Sequence, residues 1–473
     1  MIKIAIAFIG LVLLCPGISS AQSPQTCPAG APSPDGSAIR PVPPGQTSCI
    51  LHAAHGDQWK YQGDMLYRNY GNGFNASGHY AQLQINSGGN SFALGVCYAG
   101  FPLWLQMTGG GFMQAIDPAH PLPSLPFWNA TQNRPYRTFH QMMLSGQITN
   151  GDTLEVKPLV SGIPVWFDAG RVQNNNLTIS IDAGAILGCN VDEDNAVIPV
   201  SNAVSGLTVT GSGEIAYAID KSHGQYRGIN LGTATGFTLK GTDSAHHIYI
   251  HDNDFGLQSR GDNGTVTISH ADFDHNGSGQ NEAATHNIYL GWGGNKSDKS
   301  TYIVSDTRSV CTNHGGFEFK SRFPSGTVQN SVLASPSNHG YTDCTESAAV
   351  DLSCGGSHTL GGMGPGTGVV LELGPDAQNN TIIRYGAEIG TPNCPAGGWS
   401  GSLVVQNAWL ICDFAGAKVG YNPHGLRFTV KNSKIVGCFG GLGWNVKDGG
   451  TNTVYATRAA AGLGPYPALP APP

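Results

Sequence analysis

Charge is what this sequence has least of. Only 12% of its 473 residues are Asp, Glu, Lys or Arg, about half the usual share. The formal balance is −7, and no basic stripe exists to displace counterions, so nucleic acid is excluded as a partner. After the first residues no apolar run is long enough to span a bilayer. There is no CxxC pair and no HExxH motif, which argues against thiol redox and zincin chemistry. Beyond residue 156 no segment carries a helical apolar period.

The one apolar run opens the chain. "MIKIAIAFIGLVLLCPGISSAQ" has Lys3 at its start and Ser19-Ser20-Ala21 as a cleavage site, so residues 1–21 read as a secretory signal peptide. The mature chain is expected to be secreted or periplasmic, soluble and monomeric. Removing Cys15 leaves ten of the 11 cysteines, an even number in an oxidising compartment, which favours disulfides. Cys412 and Cys438 lie one repeat apart, and Cys344 with Cys354 is a candidate local staple.

Glycine is abundant, 67 of 473 residues. With asparagine it punctuates short β-branched runs such as "GLTVTGSGEI" (206–215), "GFTLKG" (236–241) and "NGTVTISHADFDHNG" (263–277). A second series lies between them: "FGLQSR" (255–260), "HNIYLG" (286–291), "GGFEFKS" (315–321), "SAAVDLS" (347–353) and "GVVLELG" (368–374). Two or more strands per repeat, Asn/Gly turns and no helices predict an all-β fold, a parallel β-helix solenoid over 136–455. A β-sandwich is the rival, but turn sequences recur at the same point of successive units. Phe139, Met142 and Met143 predict a short amphipathic helix capping the start. Residues 22–135 carry aromatics and prolines without a repeat and are expected to form a β-rich accessory region. Residues 456–473 read as a Pro-rich disordered tail.

The stretch "NHGGFEFKSR" (313–322) sets Glu318, Lys320 and Arg322 on alternate positions, hence on one face of a strand. If Ile288, Leu290, Phe317, Phe319, Val350 and Leu352 point inward, Asn287, Tyr289, Glu318, Lys320 and Asp351 form an outward row. Arg322 ends it, Glu372 is one coil on, and Gln258 and Arg260 stand one coil before. Such a row suits proton abstraction beside a uronate carboxylate, with charge neutralised by a cation and a base collecting the proton. Lys320 is the candidate base, and Arg322 or Tyr289 the carboxylate partner or acid. His286, beside Tyr289, is a candidate base or a structural imidazole. Glu318, Asp351, Asn287 and Glu372 are hard oxygen ligands of the kind calcium takes. His275, His314 and His339 sit in turn sequences. Asp252, Asp254, Asp272 and Asp274 supply the carboxylates a glycoside hydrolase needs, or ordinary turn residues.

The coil spacing, with "HNIYLG" followed by "FKSR" and the opening "FHQMMLSGQITNGDTLEV" (139–156), resembles right-handed parallel β-helix proteins of the pectate-lyase superfamily. The spacing of Glu318 and Lys320-Ser321 is loosely similar to the alginate lyase and chondroitinase B family, although its paired-glutamate segment is missing here. That resemblance implies a polysaccharide lyase acting by β-elimination, with a lysine base, an arginine and a calcium ion. A glycoside hydrolase and a non-catalytic polysaccharide-binding or adhesive protein are the alternatives. An acidic polysaccharide is the expected partner in each case.

Overall fold

In the computed structural model the described residues are 127–136, 148–158, 164–166, 171–188, 196–216, 218, 226–277, 285–293, 297–312, 316–334, 346–375, 377–412, 415–463 and 472–473, with the backbone of ten short strands between Gln25 and Ile116. The helix expected around Phe139 lies outside them, as do the signal segment, His314 and His339. No helix occurs among the described residues; the elements are strands. Before residue 116 the pairing is mostly antiparallel, as in Ser48–His52 with Gln58–Gln62 and Tyr80–Ser87 with Asn90–Cys97.

From Thr153 onward the pairing is parallel and falls into three ladders. The chain visits them in fixed order. Ser357–Leu360 joins the first, Val369–Leu373 the second and Thr381–Tyr385 the third, and Ser402–Gln406 returns to the first one rung on. This all-β arrangement of long parallel sheets is consistent with a β-helix-like solenoid.

The residue alternation explains the stacking. In the first ladder Leu154, Ile179, Val209, Leu239, Ile268, Val304, Val328, Leu360, Val405 and Val430 follow one another in register. All ten are buried in one apolar core. Their neighbours on the other face, Thr153, Thr178, Thr208, Thr238 and Thr267, form a threonine file in the same register. β-Branched side chains suit such a pleated, half-buried surface.

Polar corners join the ladders. Asn253 Nδ2 donates to Asn276 Oδ1 at 2.9 Å, Asn276 to Asn287 at 2.8 Å, and Asn287 to Glu318 Oε2 at 2.6 Å. Between the first and second ladders the backbone turns through a left-handed residue, with φ near +50° at Asn330, Asn407 and Asn432. Asparagine tolerates this better than other residues with a Cβ.

The two ends of the stack differ. At its start Phe127–Asn129 pairs antiparallel with Thr153–Val156, the first strand of the first ladder. At its far end Trp444 and Val454 are exposed. The residues after 455 are packed in part, which the reading of a disordered tail did not foresee. Ala461 and Leu463 lie against Trp409 and Ile411, and the Pro473 carbonyl accepts from Gly368 N–H at 2.9 Å.

Disulfides Cys412–Cys438 and Cys354–Cys394 are present. The first was expected. The second replaces the Cys344–Cys354 staple, because the loop after Tyr385 folds back over the rung that carries Cys354. Cys311 is disulfide-bonded as well.

Candidate functional site

The third ladder carries Phe255–Gln258, His286–Leu290, Gly316–Ser321, Glu346–Leu352 and Thr381–Tyr385. Its register sets Gln258, Tyr289, Lys320, Asp351, Arg384, Tyr421 and Trp444 in a single file, one per rung. Of the expected row, Gln258, Tyr289, Lys320 and Asp351 share this file, and they are buried rather than facing solvent. The strand "GVVLELG" is not part of it, since Val369–Leu373 pairs within the second ladder. Glu372 is fully buried there beside Arg458, and Arg384 occupies the next rung of the row.

Lys320 and Arg322 converge on one carboxylate. Lys320 Nζ lies 2.6 Å from Glu388 Oε1, while Arg322 Nε and Nη2 each lie 2.7 Å from Oε2. Lys320 is also 3.3 Å from Asp351 Oδ2, and Arg384 Nη1 is 4.0 Å from the same oxygen. Arg322 donates to the Tyr289 hydroxyl and, at 3.2 Å, to the Trp292 carbonyl. Glu388 belongs to the segment 386–401, which Cys354–Cys394 ties down and whose Trp399 indole donates to the Arg322 carbonyl at 2.8 Å. Glu388 was missed in the sequence, because it enters this rung from a loop two coils further on.

This cluster is closed. Tyr289, Lys320 and Arg322 are 5–7% exposed and Asp351 is fully buried. Both Asp351 oxygens accept no hydrogen bond. Burial works against a charged Lys320, yet Asp351, Tyr289 and Glu388 outweigh it and hold the ammonium above the ordinary lysine value. These neighbours favour the ammonium form of Lys320, which suits charge neutralisation better than the expected role of proton-collecting base. Burial alone would raise Glu388, but Lys320 and Arg322 keep it below the ordinary carboxylate range. Burial raises Tyr289, so its phenol stays protonated.

The expected calcium set separates into two places. Glu318 accepts from Asn287 Nδ2 (2.6 Å), Ser309 Oγ (2.8 Å) and Thr312 N–H (3.0 Å). Asp351 instead faces Lys320 and Arg384. Glu318 and Asn287 close the polar corner with their oxygens engaged by protein donors, so these three residues do not fit a common ion. Burial pushes Glu318 up to about 7. Phe317 also departs from expectation. It is buried outside the apolar core, its ring 5.2 Å from that of His286 and 5.0 Å from Lys320 Nζ. The alternation is disturbed where this strand's register against Glu346–Leu352 shifts between Gly316 and Phe317. His286 Nδ1 accepts from Phe317 N–H at 3.1 Å. Burial and the charges of Lys320 and Arg322 hold it well below the ordinary histidine value. Its surroundings favour the neutral imidazole.

No family model, curated protein or solved structure matches this chain.

The remaining candidates lie elsewhere. Gln258 is in the file above Tyr289, and Arg260 covers the Trp292 ring at 5.2 Å. Asp252 is a left-handed turn residue bound to His251, and Asp254 accepts from Tyr226 N–H at 2.8 Å. Asp274 and His275 approach Cys311, but that sulfur is committed to a disulfide. Asp272, on the second ladder, accepts from His247 Nδ1 at 2.9 Å. No helix among the described residues is long and apolar enough to cross a membrane.

Proposed function

We propose that this chain is an exported right-handed parallel β-helix protein that acts on a uronic-acid-containing polysaccharide by β-elimination. The supporting observation is the grip of Lys320 and Arg322 on the two oxygens of the Glu388 carboxylate. Two cations on alternate positions of one strand suit a planar carboxylate, and Glu388 stands where a uronate carboxylate would bind. The quoted β-helix motifs and the signal segment support the same reading.

In this proposal a substrate carboxylate replaces Glu388 once the segment 386–401 lifts. Lys320 and Arg322 then neutralise it, which acidifies the neighbouring C5 proton. Arg322 donates to the Tyr289 oxygen, which leaves the phenol proton for the departing sugar oxygen. Elimination also needs a base. Asp351, beside Lys320 with both oxygens unengaged by hydrogen bonds, is assigned that part.

A panel of acidic polysaccharides, followed by the ultraviolet absorbance of the unsaturated uronate, tests this. Product should form with one of them, and Asp351→Asn should lower the rate about 10²–10⁴-fold. New reducing ends without unsaturation would favour the hydrolase alternative. Binding without either product would favour the non-catalytic one.

A further inference from the structure

A cavity of about 570 Å³ lies away from the third ladder. It opens at the corner between the first and second ladders, where His247, Asp272, Asp306 and Arg308 line it. In that corner several coils turn through a left-handed residue. It is Gly211 on one coil and Asn330, Asn407 and Asn432 on later ones. Two coils instead carry His270 (φ +50°) and Asp306 (φ +45°). Left-handed non-glycine residues cost of order 1–3 kcal/mol and concentrate at functional sites.

The side chains of His270 and Asp306 meet. His270 Nε2 lies 3.3 Å from Asp306 Oδ2, and His247 Nε2 lies 3.9 Å from the same oxygen. The His247 and His270 ring centres are 5.9 Å apart. His247 Nδ1 is engaged by Asp272, which fixes the tautomer with the lone pair on Nε2. That Nε2 is a buried atom without a hydrogen-bond partner.

We propose that His247, His270 and Asp306 form a binding site for a divalent transition-metal ion, with Asp272 as the carboxylate that orients His247. Two imidazole nitrogens and one carboxylate are a donor set for zinc and its neighbours rather than for calcium. Tetrahedral bonds of about 2.0–2.1 Å place donors roughly 3.3–3.4 Å apart. The His270–Asp306 separation already meets this, whereas His247, at 3.9 Å from Asp306 and with its ring centre 5.9 Å from that of His270, must swing towards both as the ion binds. A carboxylate behind a ligating imidazole is the usual outer arrangement of such sites. His247 and Asp306 of this set line the cavity. His246 is not a ligand: it is exposed and its Nδ1 pairs with Asp243 at 2.9 Å.

The test is zinc binding by calorimetry to the tag-free, chelator-treated full chain. One equivalent should bind and raise the melting temperature, while calcium at the same concentration should not compete. His247→Ala, His270→Ala and Asp306→Ala should each weaken binding at least about 10-fold, and Asp272→Asn about 10–100-fold. His246→Ala should change nothing. Failure of zinc to bind would overturn the site, as would binding that survives in the folded His247→Ala/His270→Ala double variant. None of these residues lies on the third ladder, so either outcome leaves the polysaccharide reading to its own experiment.

Discussion

A single imidazole shows how strongly local partners set protonation in this chain. His251 is 6% exposed, with Asp252 at 2.7 Å from Nδ1 and Glu214 at 3.0 Å from Nε2. Burial disfavours its charge, but the two carboxylates prevail and raise it to about 9. A pKa raised in the folded state means that the native protein binds the proton more tightly. The stabilisation is therefore complete below the unfolded value near 6.5 and is lost as pH rises through about 9. Thermal melts of the wild type should fall across that window, by no more than about 3 kcal/mol, and His251→Gln should flatten the decline. An unchanged profile in the variant would remove His251 as the cause. Residue-level roles were only partly legible. Tyr289, Lys320 and Asp351 could be placed together because a rung advances each file by one residue. Glu318 and Asn287 could not be placed correctly, because a polar corner with its own donors captured them. His270 and Asp306 carried a faint signal, in "SHAD" and "SDTR" at equivalent points of two coils.

At the scale of one element, the segment 386–401 decides whether the Lys320–Arg322 pair is reachable. It is held by three kinds of contact: the Glu388 ion pairs, the Trp399 indole hydrogen bond and the Cys354–Cys394 disulfide. Because these pairs are buried, truncating a cation should destabilise. Lys320→Ala leaves Asp351 with only the 4.0 Å contact to Arg384, and a buried pair broken from one side typically costs about 3–5 kcal/mol. Glu388→Gln is the more informative change. It should weaken the latch and raise affinity for a polyuronate at least several-fold in equilibrium binding. A lowered melting temperature with unaltered affinity would make Glu388 purely structural. The strands themselves were legible in the sequence, since Thr-Leu-Glu-Val and its successors alternate with the period of a strand. The loop was not, because no period announces where an irregular segment folds back.

For the whole molecule, stability is distributed along an axis. Each rung contacts its neighbours, so energies add approximately by nearest-neighbour terms. A large-to-small change in the inner file, such as Val304→Ala, should cost about 1–3 kcal/mol. Hydrogen exchange should report that loss mainly in the adjoining strands Thr265–Asn276 and Ser325–Gln329. Protection lost equally at Arg427–Lys431 would show that the stack opens as one unit. The parallel pairing followed from turn recurrence, whereas the ladder count did not: "GVVLELG" looks like a third-ladder strand and belongs to the second.

One feature of the fold bears on length. A repeating stack has no intrinsic beginning, and its first rung would offer a row of unsatisfied amides and carbonyls to any strand that arrived. Here Phe127–Asn129 lies across that rung running the opposite way. A reversed strand occupies the hydrogen-bonding edge but breaks the coil's direction, so a further coil cannot be added in register. The first ladder therefore opens on a reversed hairpin, Phe127–Asn129 with Arg134–Tyr136, which denies that edge to a parallel strand arriving from another molecule.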